Sequence, residues 1–394
     1  MLSYLLLLML SMQAASAAPM ALEPRTIAFG CGAAKAYPPP HRVTRFVIDE
    51  PTAEVLLVHF AKLHLAPHDV LLLRPRSSNT SRAMTPERIT AASNGLGAFF
   101  SVPLYSTQVV VELRTAPREP TSQGCYGFVI DGVRTRVGAS DRFPPGKESL
   151  CGADDSRNAA CFVDSVMALK SKAVVRLLTN RASGSDFCSG WLLGCGGHVL
   201  TNQHCLLSAD DAANTLFEFM AEGASCASDC EAHGACASRQ VVRGGTLLAS
   251  STQFDYALVQ LDEVPPSLGL LRWMSRVLHN RCRYLQLRAA GPIMHERVYI
   301  PQYPLGGGKR ISVLDGKRPG TITSLTLSGC TTNQAGYMLD TQPGSSGSPV
   351  LAHSDQLVVA LHHCGGCPNA GIQAQFLIKD LTAKGVLPPC AIGQ

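Results

Sequence analysis

The feature that most restricts how this chain can fold is the uneven distribution of its cysteines. Two of the fifteen, Cys31 and Cys125, lie in the first third of the 394 residues, and the others follow from Cys151 onward. Cysteines at this density pair and support small domains in an oxidising compartment. The asymmetry therefore predicts two domains, and the odd total leaves at least one cysteine free, modified or paired between chains.

The first residues predict export from the cell. Tyr4–Met12 is an apolar run and Ala15–Ala17 is a small-residue cleavage site, so we interpret residues 1–17 as a signal peptide. A transmembrane anchor is the alternative, but the run is shorter than a helix that spans a bilayer, and no membrane span is predicted elsewhere. The predicted localisation is secreted and extracellular.

Composition excludes two classes of protein. Apolar residues make up 46% of the chain and charged residues 16%, which is typical of a globular protein and not of a disordered one. The formal charge is +5 without a dense run of Lys or Arg, so nucleic-acid binding has no support.

Residues 18–145 are predicted to form a β-sandwich-like domain, because short β-type runs alternate with turn-rich segments. The runs are Val43–Ile48, Glu54–Phe60, Val70–Leu73, Ala98–Val102, Val109–Leu113 and Gly127–Ile130. His59, His64 and His68 are better explained as structural histidines than as a metal site. Asn79 begins a glycosylation sequon. The domain either binds a carbohydrate or protein ligand, or serves as a propeptide or folding partner.

A linker separates the two predicted domains. Val137–Lys147 is rich in Gly, Ser and Asp and contains Pro-Pro-Gly, which places the second domain at residues 146–394. In that domain Cys226, Cys230 and Cys236 lie close together around His233. We favour a loop tied by disulfides over a zinc site there, and we predict no metal or cofactor for the chain.

The stretch Gly344–Pro349, with sequence GSSGSP, is a tight turn that leads into an apolar strand. A serine nucleophile needs such a turn, because its hydroxyl must stand clear while neighbouring N–H groups point at a forming oxyanion. The N–H groups of Gly344 and Ser346 are the candidates for that oxyanion hole. Gly-Ser turns are also common in ordinary loops, so residues upstream must decide between a nucleophile turn and a simple loop.

Two upstream motifs favour a nucleophile turn at Gly344–Pro349. Cys188–Gly194 and His198–Cys205 are predicted as a hairpin closed by Gly194–Gly197, with Cys188 and Cys205 placed to bridge it. The sequences CSG and LTNQHC resemble the histidine region of trypsin-like (chymotrypsin-fold) serine proteases. That resemblance predicts an aspartate in an Asp-x-Ala-Leu strand, which Asp255 supplies.

The resemblance, which covers about Cys161 to Leu387, implies a fold and a set of roles. His204, Asp255 and Ser346 follow one another at separations of 51 and 91 residues, whereas α/β-hydrolases run Ser, acid, His. Ser346 would be the nucleophile, His204 its base and Asp255 the residue that orients His204. The implied fold class is all-β, with a C-terminal chymotrypsin-like double β-barrel.

The sequence departs from the digestive enzymes of the family in ways that indicate a different branch. Ser345 stands where those enzymes have an aspartate that pairs with a newly freed N-terminus, so that activation cannot operate here. The GSSGSP motif looks like the lysyl and glutamyl endopeptidase branch. Cys330 is expected to bridge to Cys364 or Cys367.

Two residues are candidates for the primary specificity pocket. Asp340, six residues before Ser346, would favour Lys or Arg if its carboxylate faced the pocket. His363 lies where glutamyl endopeptidases have a histidine that contacts an acidic side chain. Both alternatives stay open from the sequence.

The sequence thus predicts a secreted serine endopeptidase that acts on proteins or peptides through an acyl-enzyme. The main alternative is a catalytically idle homologue that serves as a binding or inhibitor protein.

Overall fold

A computed structural model describes residues 22–393, with internal gaps at 77–81, 85–97, 102, 105, 118–124, 138–149, 182–183, 233 and 264–283. The predicted signal peptide, the sequon at Asn79 and the predicted domain boundary at 145/146 lie outside the described residues.

The N-terminal region is a sandwich of two sheets. Its described strands are β1 (Leu22–Gly30), β2 (Val43–Asp49), β3 (Ala53–His64), β4 (Val70–Pro75), β5 (Arg82–Met84), β6 (Phe99–Phe100), β7 (Gln108–Arg114) and β8 (Gly127–Val137). The sheets have the orders β1-β8-β3-β6 and β2-β7-β4-β5. Alternate residues of β3, such as Leu56, Val58 and Phe60, enter the core between them. The sequence did not predict β1, whose pairing with β8 is interrupted by a register shift between Pro24 and Ile27.

The C-terminal region adds two larger sheets. The first eight described strands are β9 (Arg157–Asn158), β10 (Val174–Arg181), β11 (Gly184–Leu193), β12 (His198–Thr201), β13 (Thr215–Phe219), β14 (Gln240–Arg243), β15 (Gly245–Ser251) and β16 (Tyr256–Leu261). The strands after the gap at 264–283 are β17 (Leu287–Arg288), β18 (Val298–Gln302), β19 (Arg310–Ser312), β20 (Leu314–Asp315), β21 (Arg318–Pro319), β22 (Ile322–Leu327), β23 (Gln334–Tyr337), β24 (Pro349–Ala352), β25 (Val358–Cys364), β26 (Asn369–Gln373) and β27 (Ile392–Gly393).

These strands form the two halves of an all-β, chymotrypsin-like fold, as predicted. One sheet runs β14-β13-β10-β11-β12-β16-β15, and the other runs β22-β23-β26-β25-β24-β18-β19-β9, with β17 beside β25 and β27 beside β17. The helices in the described part of the chain are short: α1 (Val166–Ser171), α2 (Ala209–Ala213) and α3 (Ala374–Ala383), with 3₁₀ turns at Ala159–Phe162 and Pro304–Gly306. Among the described residues, no helix combines the length and apolar character needed to cross a bilayer.

The predicted hairpin is present and brings the future site to the edge of the first sheet. β11 and β12 pair antiparallel, with Trp191 opposite Leu200, across a turn whose Gly194 and Gly197 both have positive φ. Apolar side chains on these strands are buried, so the hairpin is fixed against the barrel core. The chain leaves β12 directly into the segment that carries His204.

Seven disulfides tie the described chain, six of them in the C-terminal region. The pairs are Cys31–Cys125, Cys151–Cys367, Cys161–Cys226, Cys188–Cys205, Cys195–Cys390, Cys230–Cys236 and Cys330–Cys364. The loop around Cys230 is therefore tied by disulfides, as predicted, and Cys330 takes the first of its two expected partners. The remaining cysteine, Cys282, lies outside the described residues.

The sandwich is docked on the first barrel. Val55 and Leu57, which alternate with the sandwich core residues of β3, pack against Leu178, Phe187 and Leu216. At the same contact lies the buried guanidinium of a β8 arginine, Arg134, which donates to Asn180 Oδ1, Ser185 Oγ and the Arg181 carbonyl. Both faces of β3 are thus buried, and the two regions are joined by an apolar contact and by hydrogen bonds from the two terminal nitrogens of the Arg134 guanidinium.

Candidate active site

His204 and Asp255 meet where β12 ends and β16 begins. The Nδ1 atom of His204 lies 2.7 Å from Oδ2 of Asp255, and the backbone N–H of His204 donates to Oδ1 at 3.0 Å. One carboxylate therefore holds both the ring and the backbone of His204. With Nδ1–H donating to Asp255, the Nε2 atom is the one left with a lone pair to accept a proton.

The position of Asp255 depends on its backbone and its partners. Asp255 has φ of 39°, in the left-handed region, and its carbonyl accepts a bond of 2.7 Å from Nδ2 of Asn202. Burial alone would raise the pKa of Asp255. Hydrogen bonds from His204 and His363, with the charges of those rings, outweigh burial and hold the pKa well below its usual range. The carboxylate therefore stays ionised wherever the protein is folded near neutral pH.

Ser346 sits beside the same hairpin. Its carbonyl accepts a bond of 2.8 Å from the N–H of Ser189 on β11 and lies 4.0 Å from Sγ of Cys205, the residue after His204. Cys205 is joined to Cys188, next to Ser189, by a disulfide of 2.00 Å. The turn that carries Ser346, the segment that carries His204 and β11 are thus held as one unit.

The turn before Ser346 has two free donors. Within the described part of the chain, neither the N–H of Gly344 nor that of Ser346 donates to another protein group. Gly344 has φ of +94°, and a Cβ there would lie 2.8 Å from the nitrogen of Gly306. A Cβ would clash in this close approach, so the left-handed turn requires glycine at position 344.

The peptide that carries the Gly344 N–H is held from behind by the turn Tyr303–Gly306. The carbonyl of Pro343 accepts a bond of 2.6 Å from the N–H of Leu305. The hydroxyl of Ser189 donates to the carbonyl of Gly344 at 2.9 Å and accepts the N–H of Tyr303 at 3.0 Å. Because N–H and C=O point in opposite directions across a trans peptide, fixing the Pro343 carbonyl also fixes the direction of the Gly344 N–H.

Arg176 anchors the turn. Its side chain is fully buried, pairs with Glu218 at 2.7 Å and donates to the carbonyls of Gly306 and Gly307. The hydroxyl of Ser345 accepts the N–H of Gln342 at 3.1 Å, within the nucleophile loop itself. The hydroxyl of Ser345 thus stabilises this loop from within.

Sequence reasoning missed two of these supports. Ser189 lies in the CSG motif, but the motif does not show that its hydroxyl reaches the oxyanion loop. Arg176 gave a signal that could have been used, since it is a charged residue in the otherwise apolar run Ala173–Leu177.

Asp340 is placed differently from its predicted role. Both oxygens of its carboxylate accept backbone N–H groups, from Cys151 at 3.0 Å and from Asp155 at 2.8 Å, and the residue is buried. This geometry corrects the specificity interpretation, because the carboxylate is already satisfied by the segment that begins the protease region. Asp340 instead holds that segment against the second barrel.

His363 also departs from the prediction. Its Nδ1 atom lies 3.3 Å from Oδ2 of Asp255, and its Nε2 atom lies 2.7 Å from Oε1 of Gln334. Both nitrogens are occupied, so the ring has none left for an acidic substrate side chain. The structure brings His363 to Asp255, whereas the sequence predicts it in a specificity pocket.

The neighbouring His362 faces a different environment. Its Nδ1 atom accepts the hydroxyl of Tyr337 at 2.7 Å. Burial, with smaller contributions from the charges of His363 and His204, lowers the pKa of His362 to about 3. The ring is therefore neutral and structural at physiological pH.

Within the described residues, one group of metal-ligating side chains is compact: Cys188, His204 and Cys205. The two sulfurs are joined in a disulfide and cannot bind as thiolates, and His204 is already oriented by Asp255. The group does not fit a metal.

Comparison with known proteins gives three similarities. Residues 188–361 match the trypsin-like peptidase domain. The Rv3671c protease from M. tuberculosis in its active form is 16% identical, with a TM-score of 0.41, over 64% of this chain and 99% of that one. The serine endoprotease from Yersinia pestis is 13% identical, with a TM-score of 0.38, over 55% of this chain and 64% of that one.

A curated relative covers far more of the chain. The secreted RxLR effector protein 73 of Plasmopara viticola is 39% identical over 378 residues, which is 93% of this chain and 90% of the relative. The match includes the sandwich as well as the barrels. The chain therefore belongs to the family of this effector protein, and its residues 188–361 are similar to the trypsin-like peptidase domain.

Proposed function

We propose that the chain is a secreted serine endopeptidase. The observation that supports this most is the pairing of an oriented His204–Asp255 dyad with two free N–H groups on the adjoining turn at Gly344 and Ser346. A histidine, an aspartate or a turn serine alone would be unremarkable. Together they supply a base, its orienting group, a nucleophile and an oxyanion site.

In the proposed reaction each residue has a step. Nε2 of His204 takes the proton of the Ser346 hydroxyl as Oγ attacks the substrate carbonyl carbon. The N–H groups of Gly344 and Ser346 bind the resulting oxyanion. The imidazolium, stabilised by Asp255, then protonates the leaving amine, and an acyl-enzyme remains on Ser346. Water, deprotonated by His204, hydrolyses that ester and frees Ser346.

The proposal also includes secretion of the chain and its place among the branches of the serine protease family. The curated relative is named a secreted protein, and the seven disulfides of the described chain fit an oxidising compartment. The GSSGSP motif supports a place near the lysyl and glutamyl endopeptidases, but with Asp340 and His363 engaged elsewhere we propose neither a basic nor an acidic preference.

The second candidate is a catalytically idle homologue that binds a protein or carbohydrate partner. The word effector in the relative's name is compatible with it. An idle homologue has no need of a left-handed glycine packed against a backbone turn to keep an N–H free, and this chain has one at Gly344. We therefore favour the enzyme.

A fluorophosphonate probe and a peptide-hydrolysis assay separate the candidates. Wild type is expected to be labelled and active, and Ser346→Ala to lose labelling and about 10⁶-fold of kcat with an unchanged unfolding midpoint. Ser354→Ala, at an exposed serine, is the control and keeps both. A folded wild type that neither reacts with the probe nor cleaves a peptide library would make the binding protein the better description.

A further inference from the structure

Four side chains form a row of polar contacts that passes through Asp255, which we call the relay. A His-Asp-Ser triad alone does not require it. Gln334, His363, Asp255 and His204 follow one another, with contacts of 2.7, 3.3 and 2.7 Å between polar atoms. Gln334 is fully buried on β23, and His363 is buried on β25. An inference about this relay rests on the proposed peptidase function, because it concerns how Asp255 is held for catalysis.

The orientation of the Gln334 amide is fixed by the backbone around it. Its Nε2 atom donates to the carbonyls of Leu327 at 3.2 Å and Thr331 at 2.5 Å. An amide oxygen in that place would face two carbonyl oxygens with no donor between them in a buried site. The oxygen Oε1 must therefore be the atom that faces His363.

This orientation fixes the protons of His363. An oxygen that faces its Nε2 at 2.7 Å requires a hydrogen on that nitrogen. The Nδ1 atom faces a carboxylate oxygen at 3.3 Å and needs a hydrogen as well, since its lone pair would otherwise point at a negative charge. A neutral imidazole has only one N–H. We propose that His363 is a doubly protonated positioning residue, an imidazolium that holds Asp255 from the side opposite the catalytic histidine.

The alternative placements of the proton fail. Protonating Asp255 would set its hydroxyl against the N–H donors of His204, which donate to both carboxylate oxygens. Transferring the proton to His362 is disfavoured because that ring is fully buried and burial lowers its pKa to about 3. The titratable groups around His363 are Asp255, before β16, His204, after β12, and the adjoining His362 on β25.

Two consequences follow for catalysis. The cation at His363 disfavours a second cation at His204, so His204 stays neutral, and able to act as a base, to lower pH. At alkaline pH, loss of the His363 proton leaves a lone pair facing Asp255 and disturbs the carboxylate that orients His204. The proposed activity, measured as kcat/KM, should therefore persist to lower pH than it would without the His363 cation. It should fall again at alkaline pH.

The test compares kcat/KM across pH for wild type, His363→Gln and the control His353→Gln, at an exposed histidine. In His363→Gln the acid limb should move up by roughly one pH unit, since a nearby cation is lost. The alkaline limb should disappear, and the change should fall on kcat more than on KM. A His363→Gln profile that is merely scaled down, with both limbs unmoved, would overturn the proposal.

A direct measurement does not depend on activity. In Ser346→Ala protein with ¹⁵N-labelled histidine, NMR near pH 6 should show the His363 ring with a hydrogen on both nitrogens, and His362 with one. A neutral His363 ring there would also overturn the proposal, whether or not the chain hydrolyses peptides. Conversely, a doubly protonated His363 in a wild type without peptidase activity would refute the proposed function alone.

Discussion

The two halves of the site are held in different ways. On the acid–base side, the carboxylate of Asp255 is held by charged and polar side chains, those of His204 and His363. On the oxyanion side, the Pro343–Gly344 peptide is held by the backbone of Leu305 and by the hydroxyl of Ser189. The first set of contacts joins ionisable side chains, and the second joins neutral backbone and hydroxyl groups. pH should therefore tune the general base and leave the oxyanion hole unchanged.

The largest effect should come from breaking the acid–base side. Asp255→Asn keeps the shape but allows the amide to bond the wrong tautomer of His204, and in trypsin-like enzymes that change lowers kcat by roughly 10⁴. Steady-state hydrolysis at pH 7 measures it. The Ser346 hydroxyl would still be present, so retained turnover within tenfold of wild type would mean that Asp255 does not orient the base.

A smaller loss is expected on the oxyanion side. Ser189→Ala removes the hydroxyl that joins Tyr303 to Gly344, so kcat should fall about tenfold to a hundredfold, below the cost of deleting an oxyanion donor itself. KM and the shape of the pH profile should not change. Ser171→Ala removes a buried hydroxyl that bonds only within its own helix region and is the matched control. A shifted pH profile in Ser189→Ala would contradict the expectation that only the acid–base side responds to pH.

The smallest effect is on stability and involves His362, which lies between the two sides. Its carbonyl accepts the N–H of Gly347 in the nucleophile turn. Because the folded-state pKa is about 3 and the usual value is 6.5, only the unfolded chain binds this proton between those values, and stability falls as pH drops through that window. One such proton is worth about 1.4 kcal/mol per pH unit.

His362→Gln keeps a group that can accept from Tyr337 but removes the titration. Its free energy of unfolding, measured by urea with the disulfides intact, should depend less on pH between 6 and 4 than that of wild type. Equal slopes in the two proteins would show that His362 is already protonated in the folded state.

The chain order of His204, Asp255 and Ser346 was readable from sequence because each stands in a short local motif. The all-β fold was readable because turns punctuate short apolar runs. The supports were not readable: Gln334 lies 29 residues from His363, and Ser189 lies 155 from Gly344. Distance from Ser346 suggests Asp340 as a pocket residue and resemblance to glutamyl endopeptidases suggests His363, but neither shows where a side chain points.

The docking of the sandwich reaches further than its own interface. Phe187, which packs against Val55 and Leu57, also fills the space where a Cβ of Gly306 would stand, and Gly306 in turn abuts Gly344. The first domain thus contacts the ring of Phe187, which packs against the turn beside the candidate oxyanion site. If the chain is the proposed peptidase, proteolytic removal of the sandwich is expected to loosen this turn and lower kcat, so the two-domain chain is the form expected to be most active.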